Sequence, residues 1–140
     1  MRDERGQMSV MIVGFFVVIT LLAVVVINAS AAYLQRQALG NLADGAALSA
    51  ADAMRAERVY RLGVQSLTDI PLDERRAASL VGEYLQSSGR DFTDVRWSVQ
   101  TQGNAILVRL DSRLDLPLVP PGWFASSRVV AEASSLLRVN

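Results

Sequence analysis

The sequence predicts an α+β chain. A long N-terminal helix crosses a membrane and continues as an amphipathic Ala-rich helix, followed by one further helix and a three-stranded antiparallel sheet. Three observations predict this. Residues 6–35 carry no charged side chain, and within them residues 8–27 read MSVMIVGFFVVITLLAVVVI, interrupted only by Ser9, Gly14 and Thr20. Residues 28–60 contain no proline, and eleven alanines lie between Ala29 and Ala56 inclusive. After Gly89 the apolar period changes from that of a helix to strict alternation.

The first segment has the length of a membrane span. Twenty helical residues rise roughly 30 Å, the thickness of a bilayer's hydrocarbon core. A core helix of a small domain carries a polar face, and this segment has none. A removable secretory signal is the competing reading. Ala29-Ser30-Ala31 fits the small-residue cleavage pattern and would release a soluble chain starting at Ala32. Against it, the apolar run exceeds the usual signal core of about 7–15 residues. The leading residues Arg2, Asp3, Glu4 and Arg5 are also charge-balanced rather than basic. Arg2, Arg5 and the N-terminal amine, set against Arg36, Arg55 and Arg58 beyond the span, lean towards a cytoplasmic N-terminus.

Beyond the span, Ala31, Ala38, Leu42, Ala46, Ala50, Ala53 and Met54 follow helical spacing, and Ala43 joins the same packing set. Arg36, Asn41, Asp44, Asp52 and Arg55 take the other side. Small side chains let a neighbour approach closely. Two occupants fit that stripe, the chain's own domain and a partner helix, and both can apply. Glu57 and Arg61 have the spacing and order of a surface ion pair. Gly40 and Gly45 each lower helix stability by about 1 kcal/mol relative to alanine and mark a bend or a close contact.

A loop is expected near residues 63–70. Pro71 suits the first turn of a second helix, with Asp73 and Glu74 where the helix dipole favours anions. Leu72, Ala77, Leu80, Val81, Tyr84 and Leu85 form its buried face, and Gly89 ends it. Val95, Trp97 and Val99 then alternate with polar residues, Gly103-Asn104 is a hairpin signal, and Ile106, Val108, Leu110, Leu114 and Leu116 form the next strand face. Pro117, Pro120, Pro121 and Gly122 end that strand. Val129, Ala131, Ala133, Leu137 and Val139 form one face of a last strand. The expected organisation is a leader over residues 1–6, a span over 7–28, an amphipathic extension over 29–62, and a helix-plus-sheet domain outside the membrane over 63–140.

Composition excludes several chemistries. With no Cys and no His, the chain has no disulfide, thiol nucleophile, Cys/His zinc site or Ser-His-Asp triad. A formal net charge of zero gives no basic excess for nucleic acid. The acids are scattered. Asp111 and Asp115 share a strand face with Arg109 and Arg113, which reads as a solvated, charge-balanced surface. Asp69, Asp73 and Glu74 lack the spacing of a calcium loop. No GxGxxG, P-loop or GxSxG motif occurs. The expectation is a non-enzymatic protein without cofactor or metal. Trp123 and Phe124 follow Pro120-Pro121-Gly122, and three roles stand open for them: core plug, interface anchor or membrane-surface contact.

The N-terminal third carries a family resemblance. Arg5-Gly6-Gln7-Met8-Ser9-Val10-Met11 opens it, the apolar run follows, and then come Tyr33, Arg36, Leu39 and the stretch from Asn41 to Ala51, NLADGAALSAA. This resembles the start of TadE/TadG-like proteins of the tight-adherence (Flp-type) pilus system. The resemblance implies a pilin-like fold and a bacterial inner-membrane, minor-pilin-like role in pilus assembly or in the filament. It implies a cytoplasmic N-terminus, an outward C-terminal domain, and partners among other pilin-like or pilus-assembly membrane proteins, as homo- or hetero-oligomers. It also implies a prepilin peptidase acting between Gly6 and Gln7. Met11 would then stand fifth, where type IV-like pilins usually carry Glu, a departure that favours the membrane-retained version. The residues alone leave a second reading: a single-pass membrane protein whose outer domain binds a ligand or partner unrelated to pili.

Overall fold

The structure, a computed structural model, describes residues 4–62, 73–119 and 127–136, the side chains of residues 4–7, 58, 61 and 62 excepted. Its elements are α1 (Glu4–Leu62), α2 (Glu74–Ser88), β1 (Arg96–Gln102), β2 (Ala105–Arg113) and β3 (Arg128–Leu136), the α+β order that the sequence predicts. The strands form one antiparallel sheet in the order β1-β2-β3. The chain divides into two compact units, Met1–Leu34 with Asp115–Ala125, and Gln35–Leu114 with Ser126–Asn140.

In the first unit residues 8–27 of α1 form an apolar run without a polar face. The Thr20 hydroxyl donates back to the Phe16 carbonyl at 2.8 Å. The polar side chain is thereby satisfied inside its own helix.

In the second unit one core joins α1, α2 and one sheet face. Helix α1 contributes Leu39, Leu42, Ala43, Ala46, Ala47, Ala50, Ala51 and Met54. Helix α2 contributes Ala77, Val81 and Leu85, and the sheet contributes Val99, Ile106, Val108, Leu110, Val129 and Ala133. The register explains the sheet's share. Val108 stands opposite both Val99 and Ala133, and Leu110 opposite both Trp97 and Ala131, so the period of two sends these side chains to one side. Ser112 continues that face fully buried, and its hydroxyl is satisfied by the Thr93 carbonyl at 3.1 Å.

Local chemistry sets the ends. Asp73 is the N-cap of α2, and its Oδ1 accepts from the backbone N–H groups of Arg75 at 3.0 Å and Arg76 at 3.4 Å. The helix thus starts after Asp73, and Pro71 and Leu72 lie outside the described residues. Gly89 is the C-cap, its N–H bonded to the Leu85 carbonyl at 2.8 Å. Gly103 has φ +57° and opens the two-residue β1–β2 turn, while Asn104 keeps a negative φ. That is the type II′ pattern, whose twist suits the hairpin.

The strand alternation reaches Leu116, but β2 ends at Arg113, which pairs with the first residue of β3, Arg128. One more backbone bond follows, from the Leu114 N–H to the Ser127 carbonyl at 2.9 Å, but the strand itself stops at Arg113, and Leu114 and Leu116 fall in the connection that follows. Leu137 and Val139 lie outside the described residues, as does the expected loop over 63–70.

Candidate functional site

Two surfaces of α1 concern function. The first is the apolar run. Every side chain from residue 8 to residue 23 is exposed, and Val24 is the first that is half-buried. Phe15, Phe16, Leu21, Leu22 and Val25 point into surroundings that the protein itself does not fill. The helix is long and apolar enough to cross a membrane, and none of its most apolar stretch is buried within the protein. A helix apolar all round and packed on nothing is unfavourable in water. In lipid the same surface is at home, because every interior backbone group is bonded within the helix.

The second surface is the small-residue face. Leu42, Ala43, Ala46 and Ala50 are buried in the chain's own core, Ala31 and Ala53 are half-buried, and Ala38 is exposed. The occupant of the stripe's centre is therefore the chain's own domain. Steps of four residues drift by about 40° each on a helix of 3.6 residues per turn. Ala38 and Ala50 consequently lie about 120° apart and share no face. The face that packs runs through Leu39, Ala47 and Ala51 as well. The signal for it was the alternation of three- and four-residue steps starting at Leu39 rather than Ala38.

Gly45 is a point of close approach between α1 and α2. A Cβ there would collide with the Tyr84 hydroxyl and stand 3.0 Å from the ring carbon bearing it. The two helices meet where one has no side chain. Gly40 meets nothing within 4 Å, and α1 passes through both glycines unbroken. Of the two alternatives, Gly45 is thus the close contact and neither glycine is a bend. Glu57 pairs with Arg76 of α2 at 3.2 Å, tying the same two helices at their other end. The side chain of Arg61, its expected partner, lies outside the described residues.

The sheet's outer face carries paired charge. Arg109 and Glu132 stand directly opposite in the register and meet at 2.7 Å. Arg128 joins Asp111 on β2 to Asp94 in the loop before β1, where its Nη1 lies 2.7 Å from Asp94 Oδ2 and its Nη2 donates to the Asp94 carbonyl at 3.0 Å. Asp94 sits at φ +53°, a conformation that Asp and Asn tolerate better than most residues. Its carboxyl is held below the ordinary carboxylate range, first by the Arg128 hydrogen bond and then by the charges of Arg128, Arg96 and Arg113, with desolvation opposing.

A depressed folded-state pKa contributes stability that is complete above the unfolded value, about 4 for Asp, and is lost as pH falls through the folded value. Asp94→Asn keeps the backbone preference and removes the charge. We expect its melting temperature to fall below wild type at pH 7 and the gap to close as pH drops below about 4. An unchanged gap at low pH would show that the charge contributes nothing.

A shallow open cavity of about 300 Å³ lies on this face, lined by Ser98, Gln100, Leu107, Arg109, Glu132 and Ser134 among others. Its two charged side chains neutralise each other. Among the described residues no group of three His, Cys, Asp or Glu converges to hold a metal. Gly6 and Gln7 lie in the first turns of α1 with their side chains outside the described set, and Trp123 and Phe124 lie outside it altogether.

These features define a class: a membrane-crossing-length helix continuous with the scaffold helix of a small α+β domain. The family model described as "Putative Flp pilus-assembly TadE/G-like" matches residues 6–53. The match spans both surfaces of α1, the apolar run and the small-residue face, and stops before α2 and the sheet. No curated protein and no solved structure matches the chain. The matched family and the apolar helix together point to a membrane-anchored protein related to pilus assembly.

Proposed function

We propose that this chain is a minor-pilin-like structural or assembly protein of a TadE/G-type Flp pilus or secretion apparatus. It is anchored once in the bacterial inner membrane, with its N-terminus cytoplasmic and its α2-and-sheet domain outside. Its work is packing against partner subunits, not catalysis. The observation that carries this reading is the extent of the family match, residues 6–53, which takes in the unburied apolar half of α1 and its small-residue half together. A signal sequence alone would not need the second half.

The buried centre of the small-residue stripe is committed to the chain's own fold. Partner packing therefore falls to the apolar run and to the outward face of α1. On that face Ala38, Leu48 and Val59 are exposed at helical spacing among Asn41, Asp52 and Arg55. Leucine at 48 is 56% exposed, apolar surface that the domain leaves uncovered.

The test is the mature N-terminus and mass of the natively expressed chain, recovered separately from membrane, sheared-surface and medium fractions. We expect a membrane-held chain. A start at Gln7 in the sheared fraction assigns the filament role; an intact chain confined to the membrane assigns the assembly role. A start at Ala32 in the medium would sink the anchored reading altogether.

A further inference from the structure

We propose that the connection carrying Leu116, Leu118 and Val119 lies against the lipid surface as a second membrane contact, fastened by Asn28 to the outer boundary of the membrane helix. The proposal rests on the membrane reading of α1 and adds to it a particular depth for a segment ninety positions away.

The fastening is specific. Asn28 is the first residue after the apolar run. Its side-chain Nδ2 donates to the Leu118 carbonyl at 2.5 Å, and the Leu118 N–H donates to its Oδ1 at 3.1 Å. One side-chain amide thus satisfies both backbone groups of one residue, as a neighbouring strand would. The two residues belong to the same compact unit, in which Asp115–Ala125 joins Met1–Leu34.

Depth follows from the helix. The hydrocarbon core is about 30 Å thick and the bilayer with its headgroups about 40–45 Å, so each interfacial layer is roughly 5–8 Å deep. At about 1.5 Å per residue, Asn28 lies at the inner edge of that layer when residues 8–27 fill the core. Leu118 is bonded at the same level.

The chemistry of the connection suits that depth. Residues 116–127 contain no charged side chain. Leu118 is 40% exposed and Val119 is 42% exposed. Scattered exposed apolar residues are ordinary; these two are placed at the edge of hydrocarbon. Backbone brought to that edge must have its polar groups paired, which Asn28 does for Leu118. Tyr33, exposed in the same unit about five residues further along α1, has the amphipathic ring found at headgroup depth.

The chain contains no cysteine, so single replacements label uniquely. The full chain is reconstituted in vesicles of phosphatidylethanolamine and phosphatidylglycerol. Spin labels are placed separately on Leu118→Cys, Val119→Cys, Val18→Cys in the span and Ser98→Cys on the polar sheet face. Collision rates with oxygen, which concentrates in lipid, and with a water-soluble nickel chelate are then compared. We expect the oxygen-to-nickel ratio at Leu118 and Val119 to be several-fold above that at Ser98 and below that at Val18. A ratio at Leu118 and Val119 equal to that at Ser98, with Val18 high, would overturn the proposal while leaving the anchor standing. Low accessibility to both reagents would mean that protein covers the segment, which also overturns it. A water-like ratio at Val18 would remove the membrane reading itself, and the proposal with it.

Discussion

Truncating Leu39 to alanine is expected to lower the unfolding free energy by about 2–5 kcal/mol, whereas enlarging its neighbour Ala38 to leucine should change it by less than about 0.5 kcal/mol. Leu39 has no solvent exposure and is among the largest fully buried side chains, while Ala38 is exposed. The two lie about 100° apart on the helix. Small domains are stable by about 5–15 kcal/mol, so the Leu39 change removes a large share of that margin. Denaturation of the full chain in detergent micelles, followed by circular dichroism, checks both variants. Equal effects at the two positions, or the larger at Ala38, would show that α1 presents a different face to the domain.

The same burial decides how partner packing is to be tested. Leucine at Ala43 or Ala46 would overpack a core in which both alanines have no exposure. Lost assembly in such a variant would report a damaged fold rather than a lost partner. Charged replacements at exposed Leu48 or Val59 leave the core intact and address the partner directly.

Replacing Val17 and Val18 together by arginine is expected to abolish membrane retention. Each arginine near the centre of a span disfavours insertion by about 2.5–3.5 kcal/mol, so the pair amounts to about 5–7 kcal/mol, several orders of magnitude in partitioning. Both positions are exposed and adjacent, so no single rotation of the helix hides both charges. The measurement is the share of chain left in the pellet after alkaline extraction of membranes, with the Val17→Leu, Val18→Leu pair as control. If the arginine pair stays with the membrane as fully as the control, the run does not sit in hydrocarbon.

The elements were legible wherever a strong periodic signal met an unambiguous stop. The apolar run, the alternation through Trp97 and Val99 and from Ile106 to Leu110, and the Gly103-Asn104 turn fall where the sequence places them, with β1 starting at Arg96, one residue after the expected Val95. Helix phase was less legible. In an alanine-rich stretch nearly every face looks apolar, and a template of strict fours drifts around the cylinder. The buried set is therefore centred on Leu39, Ala43 and Ala50 rather than on Ala38. The end of β2 was set by pairing, because the ladder closes at Arg113 and Arg128, followed only by the Leu114 N–H on the Ser127 carbonyl among the described residues. No local pattern encodes where a partner strand begins. The same holds for the contacts that matter most to the candidate surfaces. Asn28 with Leu118 and Gly45 with Tyr84 join positions far apart in sequence, and each looks in isolation like a polar residue or a helix-weakening glycine.

The alanine face of α1 also bears on the order in which the chain is made. Ala46 leaves the ribosome sixty residues before Ile106, with which it shares a core. At about 5–20 residues per second, that face waits about 3–12 seconds for the sheet part of its cover. A leucine-rich face would spend those seconds as a sticky surface beside other nascent helices. Methyl groups expose little apolar area each, so a helix lined with them can stand uncovered without adhering to the wrong neighbour.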